Sequence, residues 1–172
     1  MIGTGLVIWL GKRQLKHAKS GVLPFELQLV EVLNIASMSG LLVAVAIYFW
    51  ANRLLPVGMV GRADWEVDSF FIVWGLSLLH ALVRRGRAAW VEQLTLAAAL
   101  FAAVPLLNAL TTPWHLGVSL VEGDWAMAGF DLACLASGLL LGWAAWKMQR
   151  AELAKARGQQ RARSTHLEQE AN

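Results

Sequence analysis

Four long apolar runs constrain this chain more than any other feature. They cover about residues 25–55, 67–83, 88–110 and 125–146. A bilayer core of about 30 Å is crossed by about 20 helical residues, so each run is long enough to span it, the second only just. The runs are continuous rather than alternating, and too long for the strands of a membrane barrel. The pattern predicts an all-α integral membrane helical bundle with four full transmembrane helices. A shorter apolar segment, residues 1–11, precedes them and ends at Lys12 and Arg13. As a helix it would cover only about 16 Å. A signal peptide carries its positive charge before the apolar stretch, the reverse of the order here. The segment therefore reads as a partial transmembrane helix whose outer half is missing, with Met1 an internal residue of a longer ancestor. The expected organisation is this partial helix, a four-helix bundle over residues 25–147, and a basic tail over residues 148–172. The tail extends the last helix and is expected to lose order after Gly158.

Composition agrees with a membrane protein. Apolar residues make up 57% of the 172, and charged residues only 16%, where a soluble domain carries roughly a quarter. The net charge of +3 and pI of about 9.4 do not point to nucleic acid, because the basic residues flank the apolar runs. Lys12, Arg13, Lys16 and Lys19 follow the first segment, and Arg84, Arg85 and Arg87 stand between the second and third long runs. The tail adds Lys147, Arg150, Lys155, Arg157, Arg161 and Arg163, while the opposite connections hold only Arg53 and Arg62 among several acids. The positive-inside rule puts the basic loops and the C-terminus in the cytoplasm. Eight of the nine tryptophans fall at interfacial depth, as an aromatic belt requires, and Trp74 alone lies deep. Pro24 fits a helix start and Pro105 a kink in the third long run. The single cysteine, Cys134, excludes an internal disulfide and reads as a small packing residue.

Polar groups inside a bilayer are costly and mark candidate sites. Glu31, Asn34, His80 and Glu92 lie toward the cytoplasmic side; Asn108, His115 and Asp131 lie toward the other. Glu26 and Glu92 read as interfacial, while Glu31 and Asp131 need interhelical hydrogen bonds or water. His80 sits in the last turn of its helix, with Arg84 at i+4. A neutral imidazole there suits axial ligation of haem iron, with Arg84 on a propionate. It equally suits a packing histidine bonded to Glu31, Asn34 or Glu92. His115 lies near the opposite face, so the two cannot share a haem; His17 sits in a basic loop and His166 in the tail. Each face offers one ligand candidate and neither completes a pair. Ser37, Ser39 and Gly40 read as small-residue helix packing. No phosphate-binding glycine loop, nucleophile elbow or zinc motif occurs.

The stretches GTGLVIWLGKRQLKH, VEVLNIASMSGLLVAVAIYFWANRLLP, LLHALVRRGRAAWVEQL, LLNALTTPWHLGV and GDWAMAGFDL resemble the PepSY-associated transmembrane family, inner-membrane proteins of bacterial iron and siderophore uptake. The likeness covers nearly the whole chain up to the tail and corresponds to the C-terminal half of such a protein. The resemblance implies a helical membrane unit whose N-terminal half carries further helices and a periplasmic PepSY region. Some members are b-haem proteins that pass electrons to ferric siderophores and release Fe(II). Carried over, His80 would be a haem ligand near the cytoplasm and His115 one near the periplasm, each partnered from the N-terminal half. The partners implied are the bilayer, that half or a separate subunit, and a ferric siderophore. The expectation is thus the membrane part of a ferric-siderophore reductase binding haem b. The alternative is a non-catalytic scaffold or accessory subunit for iron uptake, and a weaker third is a transporter using Glu31 and Asp131.

Overall fold

The computed structural model describes residues 5, 8–13, 24–112 and 123–170, and these residues form helices without a strand. We label the long helices α1 (Phe25–Leu54), α2 (Arg62–Arg84), α3 (Gly86–Thr111) and α4 (Trp125–Glu170). All four are long and apolar enough to cross a membrane. At 1.5 Å per residue, α1, α2 and α3 measure about 45, 34 and 39 Å. Residues 8–13 form a separate helical piece in which Arg13 stacks 4.9 Å over the Trp9 ring.

Why the helices begin and end where they do follows from local chemistry. Pro24 caps α1 with an extended backbone, as the sequence suggested. Gly61, at a φ of 72°, turns the chain into α2. The link from α2 to α3 is a single residue, Arg85, whose φ of 40° is unusual for a side chain with a Cβ. Gly86 follows at a φ of 66°. Two bonds from its guanidinium hold Arg85 there: Nε donates to the Leu82 carbonyl (3.0 Å) and Nη1 to Gln28 Oε1 of α1 (2.6 Å). α3 runs through Pro105 as one helix. α4 does not end near Gly158 but continues to Glu170, about 69 Å in all. Along it, Lys147 and Arg150 lie over the Trp143 and Trp146 rings, at 5.1 and 4.0 Å. These pairs are four residues apart, so each cation shields the ring one turn before it.

α1 is not a uniform helix. Residues Ala36–Gly40 form a π-turn between two α-helical stretches. Such a turn widens the helix by one residue and leaves carbonyls to be satisfied from outside. Trp74 of α2 supplies one donor, its indole Nε1 meeting the Ala36 carbonyl at 3.0 Å. The deep tryptophan therefore has a polar task as well as a packing one. Gly40 ends the turn at a close approach of α1 and α2: a Cβ there would lie 2.9 Å from Ser77 Cβ.

The packing order is α4 on α3, and α1 against both α2 and α3, while α2 and α3 pack less closely on each other. α3 and α4 approach through small residues, with Gly138 against Ala98 and Ala102. One buried cluster joins Ala46 of α1, Phe101 and Val104 of α3 and Cys134 of α4, with the Phe49, Phe101 and Phe130 rings edge to face. A second joins Val32 and Ile35 of α1, Ala81 of α2 and Ala89 of α3 at the end of the bundle that carries Arg84.

Candidate functional site

The candidate site lies where the π-turn of α1 faces the last turns of α2 and the first turns of α3. Its centre is Gln93, which is buried. The Gln93 amide Nε2 donates to the Ser77 carbonyl at 2.8 Å and to His80 Nδ1 at 3.2 Å. Its Oε1 accepts from the Ser39 hydroxyl at 2.8 Å. That hydroxyl also lies 2.8 Å from the Ile35 carbonyl, so its one hydrogen serves one of the two oxygens at a time. Reversing the amide would set Oε1 against the Ser77 carbonyl, two acceptors face to face. The amide orientation follows from this, and the histidine tautomer follows from the amide. With both Nε2 hydrogens used, His80 Nδ1 must accept, which leaves the ring hydrogen on Nε2. It points at Glu92 Oε2, 2.9 Å away.

Glu92 then joins the histidine to Arg84. Arg84 Nε sits 3.1 Å from both carboxylate oxygens and Nη2 pairs with Oε1. The result is one connected polar chain, from the Ile35 carbonyl through Ser39, Gln93, His80 and Glu92 to Arg84, tying three helices together. Burial falls along it: Ser39 is fully buried, the His80 and Glu92 side chains are 37% and 38% exposed, and Arg84 is 56% exposed. The nearby charges of Glu92 and Arg84 offset each other, so this end of the chain carries no net charge.

Beside this chain is a cleft of about 330 Å³ between α2 and α3, with α1 behind it. Its walls are Val43, Val73, Leu76 and Leu96, and its polar edge is Ser77, His80, Glu92 and Gln93. His80 lies four residues, about 6 Å, from the end of α2, and Glu92 six residues, about 9 Å, from the start of α3. The polar edge is therefore near the helix ends, and the apolar slot runs toward the middle of the bundle.

Of the residues singled out in the sequence, His80, Arg84 and Glu92 come together. His115 and His17 lie outside the described residues. An axial haem ligand needs a ring nitrogen lone pair directed at the iron. Here Nδ1 accepts from Gln93 and Nε2 faces Glu92, and Arg84 is paired with that same carboxylate. In this arrangement His80 and Arg84 do not fit an axial ligand and a propionate partner. Among the described residues, no group of three or more His, Cys, Asp or Glu side chains is placed to hold a metal ion. The packing alternative named Glu31, Asn34 or Glu92 as bonding partner for His80; Glu92 is the one that meets it. Gln93 was not anticipated, although a buried amide within an apolar run was a visible signal.

A second polar pair stands toward the other end of α3 and α4. Asn108 Nδ2 donates to Asp131 Oδ1 at 2.5 Å, both side chains being fully enclosed. This is the interhelical bond Asp131 required. Asn108 Oδ1 has no partner among the described residues, and neither has Asn34 Nδ2. At that same end, Glu66 is gripped by Arg62 (2.9 Å) and by Asn52 Nδ2 (3.2 Å), closing the turn between α1 and α2.

Neither a family model, nor a curated protein, nor a solved structure matches the chain. The fold and the site accordingly define a class only: a multi-pass helical membrane protein with a polar chain that links three of its helices.

Proposed function

We propose that this chain is the C-terminal membrane part of a PepSY-type inner-membrane protein of iron uptake, acting there as a helical scaffold or accessory unit. The resemblance of the five stretches named above supports the family. The engagement of both His80 ring nitrogens, by Gln93 and Glu92, carries the choice of a scaffold over a haem carrier. In this reading the Arg84 end and the C-terminus face the cytoplasm, because the Lys and Arg residues gather there. The partner is the N-terminal PepSY half or a separate subunit, and the assembly handles a ferric siderophore. The test supplies that half, purifies the assembly and records its reduced absorption spectrum alongside iron uptake. The scaffold predicts no b-type α-band and uptake that survives His80→Gln. A b-type band that disappears with His80→Ala overturns it.

One observation favours the second reading, a b-haem reductase part: His80 borders an open apolar cleft with Arg84 one turn along. His80 and His115 would then be axial ligands and Arg84 a propionate partner, with haem supplying one-electron transfer. It requires His80 to leave Glu92. The same spectrum decides between the two.

A further inference from the structure

We propose that the cleft between α2 and α3 binds a neutral redox headgroup on an apolar tail, of the isoprenoid quinol class. Shape is the first argument. α2 and α3 pack less closely on each other than either does on α1, and the cleft between them has rims, Leu76 and Leu96, that are 56% and 51% exposed. A ligand would enter from the lipid. Its polar part would meet His80 and Glu92 near the helix ends, and its tail would follow Val73 and Val43 inward.

Size and charge narrow the ligand. About 330 Å³ is at the lower end of ligand pockets, room for one ring and the first segment of a tail but not for a pair of acyl chains. An anionic phospholipid is disfavoured by charge. Arg84 is already paired, and a phosphate here would face the Glu92 carboxylate. A neutral headgroup meets no such repulsion.

Hydrogen-bond chemistry is the third argument. The polar edge offers an acceptor, the 38% exposed Glu92 carboxylate, and a quinol hydroxyl suits it as the donor. The proposal concerns binding and rests on the cleft alone, so it stands or falls separately from haem ligation.

The experiment places the full chain in phosphatidylcholine nanodiscs and titrates decyl-ubiquinol, kept reduced under argon, against empty discs, with an azido-ubiquinol label mapped by mass spectrometry. Expected are one saturable equivalent and labelling of α2 or α3 beside the cleft. Leu96→Trp, which fills the slot and leaves the polar chain intact, should weaken binding at least tenfold. Glu92→Gln should do likewise, and Leu139→Trp on the exposed face of α4 should change nothing. Uptake no greater than in empty discs overturns the proposal. So does binding unaffected by Leu96→Trp, or displacement by excess phosphatidylglycerol.

Discussion

Gly138 and Gly142 lie one turn apart on α4, and replacing each with alanine should move stability in opposite directions. A Cβ on Gly138 would sit 2.8 Å from the Ala102 nitrogen, 2.9 Å from Ala102 Cβ and 2.9 Å from the Ala98 carbonyl oxygen. Carbon contacts are comfortable at about 3.5–4.0 Å, so the new methyl intrudes by about 0.6–1 Å. Two of the three obstacles are backbone atoms, which cannot swing aside, so α3 and α4 must part. Overpacking of this kind costs about 1–3 kcal/mol, and the helix preference of alanine over glycine returns about 0.5–1 kcal/mol. The net loss for Gly138→Ala is about 0–2.5 kcal/mol, and at about 2–4 °C per kcal/mol for a chain of this size Tm falls by up to about 10 °C. At Gly142 the nearest atom, Ala98 Cβ, is 3.7 Å from the added carbon, an ordinary contact. Gly142→Ala should therefore hold Tm or raise it by a degree or two, on the order of the propensity gain. The assay is thermal unfolding of both variants in one detergent, followed by circular dichroism. If Gly138→Ala is as stable as Gly142→Ala, the close approach of α3 and α4 at Ala98 and Ala102 is wrong.

Two further perturbations address the polar groups. Gln93→Leu removes the partner of Ser39, Ser77 and His80 together; stability in detergent should fall by about 1–3 kcal/mol, and amide exchange should quicken across residues 36–40. Unchanged exchange in the π-turn would mean that Gln93 does not hold it. Asn108→Leu leaves the enclosed Asp131 carboxyl without its bond, at a cost of about 1–3 kcal/mol. Adding Asp131→Leu should recover part of that loss, because two apolar groups leave nothing unsatisfied; strictly additive losses in the double-mutant cycle would show that the pair is not coupled.

The sequence by itself determined the fold class. Helices across a bilayer are imposed by run length and by the need to satisfy every backbone group internally, and neither depends on tertiary contacts. The single-residue link at Arg85 was foreshadowed by how closely the second and third long runs follow each other. The need of Asp131 for a hydrogen bond or water was equally legible, since a carboxyl one to two turns inside a membrane helix is costly unpaired. What the sequence did not determine was which polar groups meet. Among this chain's own side chains His80 had Glu31, Asn34 or Glu92 to choose from, and the choice fell to the relative rotation and depth of α2 and α3. The π-turn at Ala36–Gly40 was also beyond it. That stretch reads as small residues suited to close packing, which holds for Ser39 and Gly40 but not for Ser37, which is exposed and bonds the Asn34 carbonyl of its own helix. The extra residue in the turn is stabilised in part from outside, by the Trp74 indole on the Ala36 carbonyl and by the Ser39 and Gln93 pair. Those partners, the Trp74 donor and the Gln93 acceptor, come from helices 38 and 54 residues further along the chain, and only the tertiary structure brings them there.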